Sequence, residues 1–528
     1  MNKEKLYAVK ISLIVALGGF LMGFDASVIS GVVKFIEPEF GLSKLQLGWA
    51  VGSLTLTSTL AMALAGPLST KYGRKPVLKA TALLYAVSAL GSAIAPDFTT
   101  LVIARMIGGL GVGASLIIAP MYIAEISPPD IRGRMVSFNQ LNIVLGISVA
   151  FFTNYLILKA GQMDQNWVYA LMLDIHQWRW MLGLELLPAA FYFGFLFIVP
   201  ESPRWLVMKG RDQESLHTLT RVSSESQALA VVEAVKASLA DQPKKNKVPI
   251  RELFRPALRL VLTIGIVIAV LQQITGINSV FFYAPMIFEQ SGIGTDASFS
   301  QAILVGLTNL VFTILAFLFI DRFGRKVLLG FGLSGIAISM FVLAIGFGSA
   351  SYTLTEEAID ALPEHIERAK AEQLSGKTYH SDVAYKNAIS ETFGTIRAKE
   401  VESELITSAI SMNATMILLG IIGFVASFAI SIGPVMWVLF SELFPNYIRG
   451  LAISFAGFIN SGVSFVVQLI FPWELAVLGS STTFLLYGIF AAIGLVFIMI
   501  LLPETKNKSL EELEIILVKD KRSADQPI

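Results

Sequence analysis

KYGRK at 71–75 stands between two apolar runs, and RFGRK at 322–326 stands between two others. A second marker repeats in the same order: Glu125 is followed seven residues later by Arg132-Gly133, and Glu442 seven residues later by Arg449-Gly450. Two motifs that recur together predict duplication of a six-span unit. The repeat offsets differ, 251 residues for the arginines and 317 for the glutamates, so extra chain lies between the markers of the second half. The polar stretch 351–407 supplies most of it.

Reading outward in windows of about 19 residues gives apolar spans near 11–33, 47–69, 77–96, 99–124, 134–159 and 179–199. A second set lies near 260–289, 299–320, 327–350, 408–440, 449–472 and 480–502. Each is long enough for the roughly 30 Å of hydrocarbon that about 20 apolar residues cross as a helix. The prediction is an all-α membrane protein of twelve transmembrane helices in two pseudo-symmetric six-helix bundles. Composition agrees: 54% of the 528 residues are hydrophobic and 15% charged, against roughly 25% charge in soluble domains, and mean hydropathy is +0.68. The N-terminal MNKEKLYAVK resembles the start of a secretory signal, but the apolar run that follows is too long, contains Asp25 and lacks a small-residue cleavage site. It reads as a retained first span.

The expected organisation is an N-terminal bundle over 1–199, a linker with short helices over 200–257, a C-terminal bundle over 258–502 carrying the insert 351–407, and a tail over 503–528. Lys71, Arg74, Lys75, Arg132, Arg134, Arg322, Arg325, Lys326 and Arg449 all fall in short loops on one side. The positive-inside rule makes that side, and both termini, cytoplasmic. VVEAVKASLADQ in the linker predicts a short surface helix, and EEAIDALPEHIERAKAEQL in the insert a small helical lid or spacer on the outer side.

Several function classes drop out. A net charge of +1 leaves no excess for nucleic acid. With no cysteine, and with all four histidines outside the spans, neither a metal centre nor a histidine relay has ligands inside the membrane. GGLGVGA at 108–114 lies in an apolar span with no strand before it, so it reads as close helix packing and not as a nucleotide loop. No Walker lysine motif is present, no cofactor is expected, and no nucleophile, base and orienting partner recur together as an enzyme requires.

An ionisable residue inside a span is a functional candidate by default. Asp25 lies in the first span, Arg105 in the fourth and Glu185 in the sixth. The first span runs outward and the fourth inward, which brings Asp25 and Arg105 to similar depth. A carboxylate beside an arginine is held ionised while desolvation favours its protonated form, so small movements can load or release a proton. The competing reading is a structural ion pair that locks helices. The seventh span, LQQITGINSVFFYAP, holds Gln272, Gln273 and Asn278, with Gly276 and Pro285 placed to break the helix. Amides donate and accept without charge, which suits a neutral polyhydroxylated ligand. Gln140, Asn309 and Asn460 add amides from other spans, and Trp437 offers a flat ring. Taken singly, each of these amides is more often interhelical glue; their convergence from spans five, seven, eight, ten and eleven is the stronger signal. Arg74, Glu125 and Arg132, with Arg325, Glu442 and Arg449, form two charge sets that predict a gate at the cytoplasmic helix ends. Topology signalling by the basic residues is the simpler alternative.

KYGRK, RMIGGLGVGA, PMYIAEISPPDIRGR, PESPRWL, QQITGINSVFFYAP, DRFGRK, PVMWVLFSELFPNYIRG and LPETKNKSL together resemble the sugar porter family of the major facilitator superfamily, over nearly the whole chain. That resemblance implies two bundles rocking about a central sugar site. It implies sugar contacts at Gln140, Gln272, Gln273, Asn278, Asn309, Gly433, Trp437 and Asn460. It implies a proton-coupling role for Asp25 with Arg105, and places in the inner network for Glu185, Glu201 and Glu504. Proton symporters of the family carry Asp at the Asp25 position and facilitators Asn. The chain departs from the family pattern at Phe282, which stands beside Tyr283 in place of a second tyrosine, at Ser461, often tryptophan, and at Thr70, where Asp321 is the repeat's counterpart. The expected function is import of a monosaccharide with protons across the inner membrane by a monomer that needs no protein partner. A passive facilitator and a transporter-like sugar sensor remain as alternatives, and the sugar itself is open.

Overall fold

The computed structural model describes residues 3–240, 249–445 and 447–506, together with 508, 512 and 513. The chain separates into two compact units, Met1–Phe35 with Trp49–Asn246, and Ile36–Gly48 with Lys247–Ile528. Most of the 503–528 tail, and the end of the VVEAVKASLADQ segment, lie outside the described residues.

The first unit is built on α1 (Lys3–Glu39), α2 (Lys44–Tyr72), α3 (Arg74–Ala93), α4 (Phe98–Ile126) and α5 (Arg132–Gly161), followed by the short α6 (Asn166–Ala170), then α7 (Gln177–Gly183) and α8 (Leu186–Phe195). Each spanning helix satisfies its backbone internally, as hydrocarbon demands. Asp97 starts α4 by accepting the Thr100 N–H at 2.9 Å, the role expected of an N-cap. The glycines of 108–114 serve close packing: a Cβ at Gly109 or Gly113 would run into the carbonyl oxygens of Leu54 or Ser58 on α2. The sixth span is not one regular helix. Between α7 and α8 the backbone stays right-handed but its hydrogen bonds tighten to the i+3 pattern, Glu185 N to Leu182 O and Leu187 N to Leu184 O. Among the described residues, eleven other helical segments are long and apolar enough to cross a membrane. The linker forms α9 (Pro203–Met208), α10 (Asp212–Thr220) and α11 (Glu225–Ala240).

In the second unit α12 (Arg259–Ile274) and α13 (Ile277–Glu289) make up the seventh span. They part at Gly276, which is left-handed at φ 90°. A Cβ there would also strike the Tyr487 ring. A side chain in the left-handed region costs about 1–2 kcal/mol, so Gly276→Ala is expected to lower stability by at least about 1 kcal/mol, read as an earlier unfolding midpoint in detergent; an unchanged midpoint would contradict the break. Then come α14 (Gly294–Phe323) and α15 (Arg325–Gly348), the insert, α20 (Ala414–Ile430), α21 (Ile432–Leu443), α22 (Arg449–Val477) and α23 (Gly479–Leu501). Ser431, at φ −125° and ψ −103°, separates α20 from α21. The tenth span therefore begins at Ala414 and not near 408.

The insert is mixed and not purely helical. Strands β1 (Ser351–Thr353), β2 (Thr378–Tyr379) and β3 (Ile410–Ser411) form an antiparallel sheet in the order β2-β1-β3. Such short strands leave no readable alternation, although Tyr and Thr favour them. EEAIDALPEHIERAKAEQL breaks near Pro363 into α16 (Glu356–Asp360), α17 (Arg368–Ala371) and a 3-10 turn, while the longer helices α18 (Asp382–Phe393) and α19 (Thr395–Ala409) lie further on. Tyr352, Leu354, Tyr385, Ile389, Val401 and Leu405 give the insert a core of its own. It is anchored twice. Asp382 accepts from the backbone and hydroxyl of Ser480, both at 2.9 Å, at the start of α23. Lys399 donates to the carbonyls of Leu42 and Gly41 at 2.7 and 3.3 Å, in the turn that groups with the second unit.

Candidate functional site

Three constellations emerge, one buried in the first unit, one in the second, and one present in both. In the first unit, Asp25 on α1 meets Arg105 on α4: Arg105 Nη1 donates to Asp25 Oδ1 at 2.9 Å, and both side chains are 1% exposed. The guanidinium also reaches the Asp25 carbonyl at 3.3 and 3.4 Å. Glu185, at the head of α8 and equally buried, lies within electrostatic reach of both. The site is under-satisfied: Asp25 Oδ2, Arg105 Nε and Glu185 Oε1 find no protein hydrogen-bond partner. Asp25 is the acid in contact with Arg105, and Glu185 senses both only through charge. With two buried acids and one cation, at most one negative charge is neutralised, and the other carboxyl can seat a proton. Gly108 on α4 makes room for the cluster, since a Cβ there would come within 2.7 Å of Asp25 Oδ2.

The second unit gathers most of the amides around the break in the seventh span. Gln272 donates to the Gly433 carbonyl at 3.1 Å. Asn460 donates to Gln272 Oε1 at 2.7 Å and to the Ala269 carbonyl at 2.9 Å. Gln273 donates to Asn460 Oδ1 and Gln272 Oε1, both at 3.2 Å, and accepts from Asn278 at 2.8 Å. Asn278 also reaches the Ser464 hydroxyl at 2.7 Å. The helix breaks at Gly276 and Ser431 expose the carbonyls and turns that let α12, α13, α21 and α22 share this network. Asn309 is buried on α14, and Trp437 is half-exposed on α21 with its ring edge-on to Phe440. Gln140 lies apart from these in sequence and unit, exposed on α5 of the first unit. Tyr283 is buried with its hydroxyl on the Gln468 carbonyl at 3.1 Å. Ser464 and Gln468 were not singled out by sequence; their spacing from Asn460, four and eight residues along one helix face, is the signal that points to them.

The third constellation occurs twice, at the Gly-Arg turns. In the first unit, Arg74 holds Glu125 through two bonds of 2.9 Å. Glu201 accepts the Arg74 backbone N–H at 3.0 Å and that of Lys75 at 3.2 Å, capping α3. Ser202 closes the ring onto Glu125. In the second unit, Arg325 holds Glu442 at 2.8 Å. Glu504 accepts from the Arg325 and Lys326 backbones at 2.9 and 3.1 Å, and Thr505 donates to Glu442 at 2.6 Å. The capping carboxylates sit at the positive ends of α3 and α15. Gly73 and Gly324, at φ 106° and 93°, turn the chain tightly enough for each carboxylate to reach. Burial pushes the Glu201 carboxyl above its ordinary range, while the backbone donors and Arg74 pull against it. Arg132 and Arg449 bind carbonyls instead of carboxylates, Ser127 O at 3.4 Å and Phe444 O at 3.0 Å. Thr70 bonds back to the Gly66 carbonyl, and the Asp321 side chain lies outside the described residues. The Ser202 and Thr505 hydroxyls went unread in the sequence, though both follow a Pro-Glu pair, in PES and PET.

A family profile described as "Sugar (and other) transporter" matches residues 11–359 and 394–517, passing over 360–393 inside the insert. The chain is 33% identical over 514 residues to the arabinose-proton symporter of Bacillus subtilis (strain 168), covering 97% of this chain and 96% of that protein. It is 34% identical over 553 aligned residues to the D-xylose-proton symporter of Escherichia coli (strain K12), covering 98% of each. Among solved structures, the inward open conformation of the xylose transporter from E. coli matches with a TM-score of 0.74 at 31% identity, over 97% of this chain and 100% of that one. Two helical units with membrane-long spans, the second with helices broken around a polar network, define a multi-pass membrane carrier. The chain belongs to the sugar porter family of the major facilitator superfamily.

Proposed function

We propose that the protein imports a monosaccharide together with protons by alternating access. The observation that carries this reading is the buried Asp25–Arg105 pair with Glu185 beside it, where unpartnered carboxyl oxygens leave a place for one proton. The proton-coupled relatives among arabinose and xylose carriers support it. Protonation of the acid pair loosens the hold on Arg105, and sugar in the amide network favours the same rearrangement, so the two ligands bias one equilibrium. The sugar contacts in the second unit are Gln272, Gln273, Asn278, Asn309, Gly433, Trp437 and Asn460, and Gln140 is the candidate contact in the first. The amides bond to one another here, so incoming hydroxyls exchange one set of hydrogen bonds for another and leave no buried polar group unmet. Arg74, Glu125, Arg132 and Glu201, with Arg325, Glu442, Arg449 and Glu504, form the inner gate. The carrier acts as a monomer in the inner membrane, with both termini and the Gly-Arg turns cytoplasmic and the insert outside.

Uptake from a panel of sugars into proteoliposomes, with and without an imposed pH gradient, tests this reading; uptake of every accepted sugar that ignores the gradient would leave a facilitator. Gln272→Ala is expected to weaken sugar binding by about 1–3 kcal/mol, the cost of a lost buried hydrogen bond. Unchanged affinity by titration calorimetry would remove Gln272 from the site.

A further inference from the structure

The proton held at Asp25 and Glu185 needs a way out of the protein, and the first unit contains buried hydroxyls that the sites above leave unused. Tyr85 on α3, Ser115 on α4 and Tyr192 on α8 are buried, and the oxygen of each lacks a protein hydrogen-bond partner. Buried hydroxyls are seldom left so unless water joins them. The three are neighbours. A Cβ at Gly18 would come within 2.5 Å of Ser115 Oγ and 2.8 Å of the Tyr192 hydroxyl, so both oxygens converge on one point beside α1. Tyr85 packs on α4 one helical turn from Ser115, its ring 3.6 Å from where a Cβ at Gly111 would stand, and it senses the charges of Asp25 and Glu185.

Their position along the helices is consistent. At 1.5 Å per residue, Gly18 lies about 10 Å from Asp25 along α1, Tyr192 about 10 Å from Glu185 along α8, and Ser115 about 15 Å from Arg105 along α4. All three displacements run toward the same end, the one bearing the Gly-Arg turn. Further along, the hydroxyls of Ser12 and Ser127 stand 3.3 Å apart, also buried. The titratable and charged groups facing this thread are Asp25, Arg105, Glu185, Tyr85 and Tyr192 near the acids, and Tyr7, Tyr122, Glu125 and Glu201 toward the Gly-Arg end.

We infer that Tyr85, Ser115 and Tyr192, linked by water, form the route by which the proton travels between the Asp25–Glu185 pair and the Gly-Arg end. A hydroxyl accepts one proton as it gives up another, so each O–H bond broken along the thread is matched by one formed, and no net charge stays on a tyrosine. These are positioning residues for proton transfer and touch neither sugar nor gate. The inference rests on the symport reading.

The experiment compares Tyr192→Phe, Tyr85→Phe and Ser115→Ala with the parent and with Asp25→Asn in proteoliposomes. Two rates are read: pH-gradient-driven net uptake, which needs proton release, and sugar exchange at equal pH, which does not. The two Tyr→Phe variants are expected to lose about tenfold or more in net uptake, less than the roughly hundredfold or more of a lost general acid or base because water still carries part of the proton flow, and to keep exchange within about twofold, with an enlarged solvent deuterium effect on net uptake. Net uptake at parental rates in all three variants would overturn the route. So would an equal fall in both rates, which marks a packing role. Asp25→Asn separates the two readings: if it accumulates sugar fully, symport fails; if it does not accumulate while the hydroxyl variants do, only the route fails.

Discussion

Asp25→Asn is expected to abolish concentrative uptake while sparing sugar exchange. The amide keeps the shape of the carboxylate and can still accept from Arg105, so the helices retain their contact. It cannot take up or release a proton, and Glu185, left as the one acid near Arg105, is held ionised by that cation, so the gradient loses the exchangeable proton it acts on. One charge moved through about 100 mV is worth about 2.3 kcal/mol, enough to sustain about fiftyfold accumulation. In the variant the ratio of inside to outside sugar should settle at one. Labelled-sugar accumulation in energised vesicles reads it; an accumulation ratio equal to the parent's would remove Asp25 from coupling.

The second large effect concerns the partner. Arg105→Leu leaves Asp25 and Glu185 buried with no cation, and removal of one member of a buried pair costs about 3–5 kcal/mol. The fold of the first unit should be weakened by that order, measured as a loss of folded protein in a detergent unfolding titration. Adding Asp25→Asn to Arg105→Leu removes one of the stranded carboxyls, so the double variant should regain a large part of the loss. Arg105→Leu alone at parental stability would mean that water or lipid already screens the pair and that it is not the dry, coupled site described above.

How much of this was readable beforehand differs by element. The spans were legible because apolar runs near 20 residues leave little alternative in a membrane, and the repeat was legible because YGRK and FGRK sit at matching turns. The break at Gly276 was also visible, since a glycine between amides in an apolar helix has few other uses. The sheet in the insert was not. Its strands are two or three residues long, and their pairing joins Tyr352 to Tyr379 and Ile410, partners far apart in the chain. The docking of Lys399 onto the Leu42 carbonyl was equally hidden, because a backbone acceptor leaves no trace in side-chain identity. At the site, charged residues in apolar runs announced themselves, whereas Ser202, Thr505, Ser464 and Gln468 are ordinary residue types that acquire meaning only from what they touch.

Sugar-evoked charge movement offers the sharpest discrimination. Protein in liposomes on a solid-supported membrane, with no imposed gradient, is exposed to a step in external sugar while current and internal pH are recorded. Inward positive current that rises with sugar, acidifies the lumen and vanishes in Asp25→Asn is the expected record. Entry of labelled sugar with neither current nor pH change would mean that the carrier moves sugar without the proton.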